Sequence, residues 1–286
     1  MQTRLRGWRA LATAVTAVVA LSAIAVAPAA AVTDGSLDGQ AHPYVGLMTA
    51  HAEDGDYLWR CSGTLINSTM FVTAGHCTEA PADHAVIYFE TGPIQVDPAF
   101  DFETRSCDGI AGHPCGGGVV GTDIATHPNY DPGAFFLFDL GVVILDTPVV
   151  LSAYGALPQL DALEGLKPNS KTRFTSVGYG LQKAFPDAAA WKDEAVRVRM
   201  VAHPHLVQIN TGFVGDFSIL LSNNAHTGGT CFGDSGGPNF IGDSNVLAGV
   251  TSYGLNPTCG GTGGVYRLDR SDDLDWLADV LANGLD

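Results

Sequence analysis

The 286-residue chain is predicted to be all-β, built from two units joined by a linker and finished by one short helix. Three observations carry that expectation. Short runs rich in Val, Ile, Thr, Tyr and Phe, such as 85–89 and 246–253, have the composition of strands. Thirty-five glycines and fifteen prolines are spread along the chain rather than clustered, and they cut those runs apart as turns do. With 46% hydrophobic and 15% charged residues, the chain has enough apolar mass for one large core or two smaller ones.

Residues 1–31 differ in kind. Arg4, Arg6 and Arg9 precede an uncharged run over 10–26, and Ala29, Ala30 and Ala31 follow it. That layout is a secretory signal peptide with a small-residue cleavage site. The run approaches the ~20 residues of a membrane span. Its Ala-rich, Leu-poor make-up and small-residue ending favour cleavage over anchoring.

The first β unit, 32–147, holds strand-like runs at 70–73, 85–89 and 142–145. Residues 97–121, with Cys107, Cys115 and a triple glycine, interrupt it and read as a loop closed by its own disulfide. From 148 to 172, Pro148, Gly155, Pro158, Gly165 and Pro168 break any regular element, which marks the linker. The second unit, 173–286, opens with a strand-like run at 173–177. It ends in an amphipathic helix with Ser271 as N-cap, Asp272 and Asp273 in the first turn, and Leu274, Leu277, Ala278 and Leu281 on one face, stopping near Gly284.

A net charge of −16, made more negative by loss of the three leader arginines, argues against nucleic-acid binding and against adhesion to anionic membranes. All six cysteines lie beyond the leader, hence in an oxidising compartment where disulfides are the default. No Cys-x-x-Cys pair occurs and the close histidines are His203 and His205, so neither a metal nor a cofactor is expected.

The chemistry centres on "TCFGDSGGP", 230–238, where Ser235 stands in a constrained turn. A serine needs a neighbouring base, and the base needs a third group to hold its tautomer. Gly233, Ser235 and Gly237 also satisfy Gly-x-Ser-x-Gly, the nucleophile elbow of α/β-hydrolases, in which the histidine follows the serine. All nine histidines here precede Ser235, and chain order excludes that reading. The base is then His76 in "TAGHC", just after a strand-like run. The acid is Asp139 in "FFLFDLGVVIL", whose burial in an apolar run would cost several kcal/mol without a partner.

"TAGHC", "FDLGVVIL" and "CFGDSGGP", in that order, resemble the trypsin/chymotrypsin family of serine peptidases, in a secreted, bacterial-type form. The resemblance spans essentially the whole mature chain. It implies two antiparallel six-stranded β-barrels with a cleft between them, His76 and Asp139 from the first barrel and Ser235 from the second. His76 would act as base and then acid, Asp139 would orient it, and Ser235 would attack the carbonyl, with an oxyanion hole from the N–H groups of Gly233 and Ser235. It also implies the disulfides Cys61–Cys77 and Cys231–Cys259, with Cys107 and Cys115 as a departure from the family pattern.

By the same resemblance Asp234 would meet the free amino group of a chain starting at Val32, although Asp34 stands where glycine is usual. The substrate pocket would be walled by Gly229, Thr230, Ser252, Tyr253, Gly254 and Gly264. Glycine at 229, where trypsin-like members carry an aspartate, leaves an uncharged pocket suited to large apolar or aromatic side chains. The implied partners of this extracellular protein are polypeptide substrates and protein protease inhibitors, with the chain acting as a monomer. The alternative function is a catalytically silent homologue that serves as a binding module, a type that characteristically lacks a triad residue.

Overall fold

The computed structural model describes residues 32–94, 117–182 and 197–285. The signal peptide expected at 1–31, and Cys107 and Cys115 with their loop, lie outside the described residues. In chain order the strands are β1 (Ser36–Leu37), β2 (Val45–His51), β3 (Tyr57–Leu65), β4 (Met70–Thr73), β5 (His84–Tyr88), β6 (Val119–Gly121), β7 (Asp123–Thr126) and β8 (Gly141–Ile144). After a strand-free interval come β9 (Asn169–Gly178), β10 (Met200–Ala202), β11 (His205–Ile209), β12 (Ser218–Asn223), β13 (Pro238–Ile241), β14 (Leu247–Gly254) and β15 (Gly261–Arg267). Among the described residues two α-helices, α1 (Gly75–Thr78) and α2 (Ser271–Asn283), and two 3-10 turns at Pro132–Ala134 and Gly212–Val214 complete the list.

β2 to β8 form one antiparallel sheet in the order β6-β5-β2-β3-β4-β8-β7. Only Thr122 separates β6 from β7. The two edge strands are therefore one segment broken at a single residue, and the sheet closes on itself as a barrel of six strand paths. The remaining strands follow the order β1-β10-β9-β11-β12-β15-β14-β13, with β13 pairing back onto β9. That ring contains six strands, and β10 and β1 extend from it along β9. Both barrels thus match the expected number. Ser36 and Leu37, placed by sequence in the first unit, instead pair with Val201 and Met200 of the second sheet.

Strand faces explain the apolar runs: β2 and β4 are buried along their whole length. One contiguous core takes Leu47, Phe71, Ile87 and Val142 from the first barrel and Tyr179, Phe240, Val250 and Leu268 from the second. Leu277 and Val280 of α2 join it. The helix starts one residue earlier than the sequence suggested, since Arg270 occupies the N-cap position and Ser271 is already helical. Its buried face is Asp273, Leu277 and Val280, while Ala278 and Leu281 face water. The cause is Asp273, whose carboxylate accepts from the buried Tyr266 hydroxyl at 2.9 Å and turns the helix toward its own side.

Candidate active site

α1 follows directly on β4 and carries His76 at the barrel rim, where the Cys61–Cys77 disulfide ties the helix to β3. Asp139 precedes β8 and is fully buried. Its carboxylate accepts the His76 backbone N–H at 2.9 Å and the ring Nδ1 at 3.0 and 3.1 Å, while the Ser252 hydroxyl donates to it at 2.5 Å. The buried acid thus has the partners its desolvation demands. Holding Nδ1–H leaves Nε2 of a neutral imidazole as the free acceptor.

The serine turn is fixed from several sides. Gly236 N donates to Thr251 O at 2.7 Å, and Ser62 N donates to Ser235 O at 2.7 Å. The Ser62 hydroxyl donates to Gly233 O at 2.9 Å and accepts Tyr179 N at 3.1 Å. Gly233 has φ of +94°, a region that disfavours any side chain. Leu181 N donates to Phe232 O at 2.8 Å, and because a trans peptide sets C=O and N–H on opposite sides, the Gly233 N–H points away from Leu181. A Cβ on Gly236 would lie 2.0 Å from Thr73 Oγ1 and 2.7 Å from Ala74 N, so the turn packs onto the segment leading into α1. Among the described residues no hydrogen bond joins the Ser235 hydroxyl to His76; such bonds commonly tighten only with substrate in place.

Burial alone would lower the pKa of His76, but the charge and hydrogen bond of Asp139 outweigh it and the net shift is upward. Asp234 is completely buried, and burial pushes its pKa up to about 7 against the opposing N–H groups of Cys231 and Gly180 and the charge of Arg60. Both N–H groups lie within hydrogen-bond distance, Gly180 at 2.8 Å and Cys231 at 2.9 Å. Cys61, His76 and Cys77 bring potential ligand atoms together, but both sulfurs are consumed by their disulfide.

A cavity of about 400 Å³ opens beside Ser235, lined by Thr230, Cys231, Phe232, Thr251 to Asn256, Pro257 and Cys259. No ionisable acid or base lines it. Thr230, Ser252, Tyr253 and Gly254, expected at the substrate pocket, line this cavity. Gly229 and Gly264 are not among the lining residues. A Cβ on Gly229 would strike Asn223, and one on Gly264 would strike the Tyr253 ring. Gly263 is the glycine that faces Thr230. The β14–β15 register shifts between Thr251 and Tyr253, which places Tyr253 opposite Gly264 and Gly254 opposite Gly263. The Tyr253 ring turns outward to Phe136 and Phe213, at centroid distances of 6.4 and 5.9 Å. A larger cavity of about 530 Å³, near Phe138 and Arg270, contains no residue of the His76, Asp139 and Ser235 group. The second disulfide, Cys231–Cys259, joins two walls of the pocket beside Ser235.

At the start of the described chain, Val32 is fully buried against Val198, Met200 and Ala202. Thr33 pairs with Gly229, and its hydroxyl donates to Asn223 at 2.6 Å. Val32 has φ of +62°, an outlier for a β-branched residue.

A family model described as Trypsin matches residues 36–273. Brachyurin of Leptuca pugilator is 28% identical over 211 residues, which cover 71% of this chain and 80% of that one. Serine protease 1 of Drosophila melanogaster is 25% identical, covering 87% of this chain and 84% of its own. Clotting factor C of Tachypleus tridentatus is 25% identical across 75% of this chain, which spans only 22% of that longer protein. These relatives are animal proteins, so the bacterial-type expectation gains no support. The solved structure of HL collagenase shares the fold, with a TM-score of 0.64 at 19% identity, covering 87% of this chain and 98% of that one.

Proposed function

This chain belongs to the trypsin family, and on that premise we propose that it is a secreted serine endopeptidase working through an acyl-enzyme. The observation that carries the reading is the fully buried Asp139 carboxylate holding His76 Nδ1, with the Ser235 turn packed against the same loop. His76 Nε2 takes the Ser235 proton as Oγ bonds to the substrate carbonyl, and Asp139 stabilises the resulting imidazolium. Charge gathers on the carbonyl oxygen, where the N–H groups of Gly233 and Ser235 receive it. His76 then returns the proton to the departing amine, and water releases the acyl group by the same steps.

On the acyl side the substrate adds a strand against 252–254. The side chain before the scissile bond enters the uncharged pocket, whose lining favours Phe, Tyr or Leu over Arg by desolvation. Asp234 waits for the ammonium of a chain cut between Ala31 and Val32. The strained φ of Val32, of a kind worth roughly 1–3 kcal/mol, is defined across that peptide bond and ceases to exist when it is cut. The mature mass is then that of 32–286 with its disulfides, and a secreted, active chain beginning at another residue would remove this role for Val32.

Cleavage of a peptide series differing in the residue before the scissile bond tests the activity. Products after Phe, Tyr and Leu, lost in Ser235→Ala, are expected. Faster cleavage after Arg would overturn the pocket reading, and no cleavage of any peptide or of casein by the mature chain would favour the binding-module alternative.

A further inference from the structure

Arg60, on β3 just before Cys61, stands out among the charged residues near the serine turn. Its guanidinium makes no hydrogen bond among the described residues, and its Nε is buried from solvent. It lies against the outer side of Gly233: a Cβ there would be 3.0 Å from Arg60 Nε and 3.3 Å from Nη2, with Gly180 Cα at 3.1 Å. Arg60 does not line the apolar pocket, whereas Phe232, on the other side of Gly233, does. The guanidinium therefore sits against Gly233 but outside the apolar pocket that would hold the acyl side, on the residue that precedes the Cys61–Cys77 bridge.

From this placement, and resting on the peptidase reading above, we propose that Arg60 forms a carboxylate-binding subsite for the leaving-group side of the substrate. A planar fork with unused donors matches a carboxylate in a two-pronged geometry. The charge around it agrees. Arg197 lies close enough that the positive charge of Arg60, added to burial, brings its pKa down to about 9. Asp234 lies near Arg60, and burial pushes its pKa up to about 7. On a protein of net charge −16 a guanidinium whose Nε has no hydrogen-bond partner among the described residues is the feature that lets an acidic segment approach. The carboxylate comes either from Asp or Glu just after the scissile bond or from the free C-terminus of a short leaving peptide.

The test is a peptide set with one acyl sequence ending in Phe and with Glu, Gln or Lys at the first or second position after the bond, each as a C-terminal amide and as a free acid. A carboxylate, whether from Glu or from the free acid, is expected to raise kcat/KM roughly tenfold over its neutral counterpart, with Lys slowest. The advantage should shrink at high salt, vanish in Arg60→Gln and survive in part in Arg60→Lys. Gains with Glu in the amide series identify a side-chain carboxylate, and gains confined to the free acids identify the terminal one. Equal cleavage of Glu, Gln and free-acid forms by the wild-type protein would overturn the subsite while leaving the peptidase intact. So would an Arg60→Gln variant that slows every peptide by one factor, since the guanidinium would then serve only Asp234. Failure to cleave any member of the set would overturn the peptidase reading, and the subsite with it.

Discussion

A carbonyl oxygen that must accept negative charge needs donors already aimed at it, and here a single hydroxyl helps to aim them. Ser62 donates to Gly233 O and receives Tyr179 N, so it clamps the peptide on one side of the Gly233 N–H, and its own N–H grips Ser235 O. Ser62→Ala leaves the backbone contact in place and frees the Gly233 carbonyl. The expected result is a fall in kcat of about tenfold with KM nearly unchanged, less than the 10²–10³ for loss of a donor itself. Equal changes in kcat and KM across substrates, or none, would remove this role. Ser62 was not legible in the sequence because nothing marks a serine beside a glycine as special until a segment more than a hundred residues away closes over it. The same holds for Arg60. The residues of the proposed triad stand out in the sequence because each sits in a local pattern: a histidine before a cysteine, an acid inside an apolar run, a serine between glycines.

β3, β4 and α1 act as one element through the Cys61–Cys77 bridge, which spans a sequence separation of 16. Closing a loop of that length restricts the unfolded chain by roughly 3 kcal/mol in the chain-entropy account. Replacing both cysteines with alanine is expected to lower the melting temperature by on the order of 10 °C, read by a thermal melt. An unchanged melt would show that the bridge serves only to place His76. At this scale sequence located the strand runs well but mistook the buried face of α2. The Tyr266 bond to Asp273 rotated α2. That contact depends on a partner outside the helix, which periodicity along one segment does not contain.

Across the whole molecule, the two barrels that sequence separates by a linker share an apolar cluster, with Leu47 and Phe71 in the same cluster as Phe240 and Val250, while Phe174, Ile219 and Val265 form a separate one within the second barrel. Neither barrel can open without exposing that surface. Calorimetry on the mature chain is expected to show one cooperative transition with calorimetric and van't Hoff enthalpies in agreement, and two resolved transitions would contradict the shared core. Sequence could not show this, because composition fixes how much apolar surface exists and not which unit buries it. The central claim remains chemical: His76, held by Asp139, turns Ser235 into a nucleophile. The most direct measurement is the rate at which a fluorophosphonate modifies the mature protein as a function of pH, with the adduct located by mass spectrometry. Modification is predicted at Ser235 alone, and its rate should rise with pH through a midpoint above the ordinary histidine value of about 6.5, because the Asp139 carboxylate raises the His76 pKa and only the neutral ring accepts a proton. Absence of an adduct on Ser235, or a rate unchanged by His76→Ala, would contradict the account.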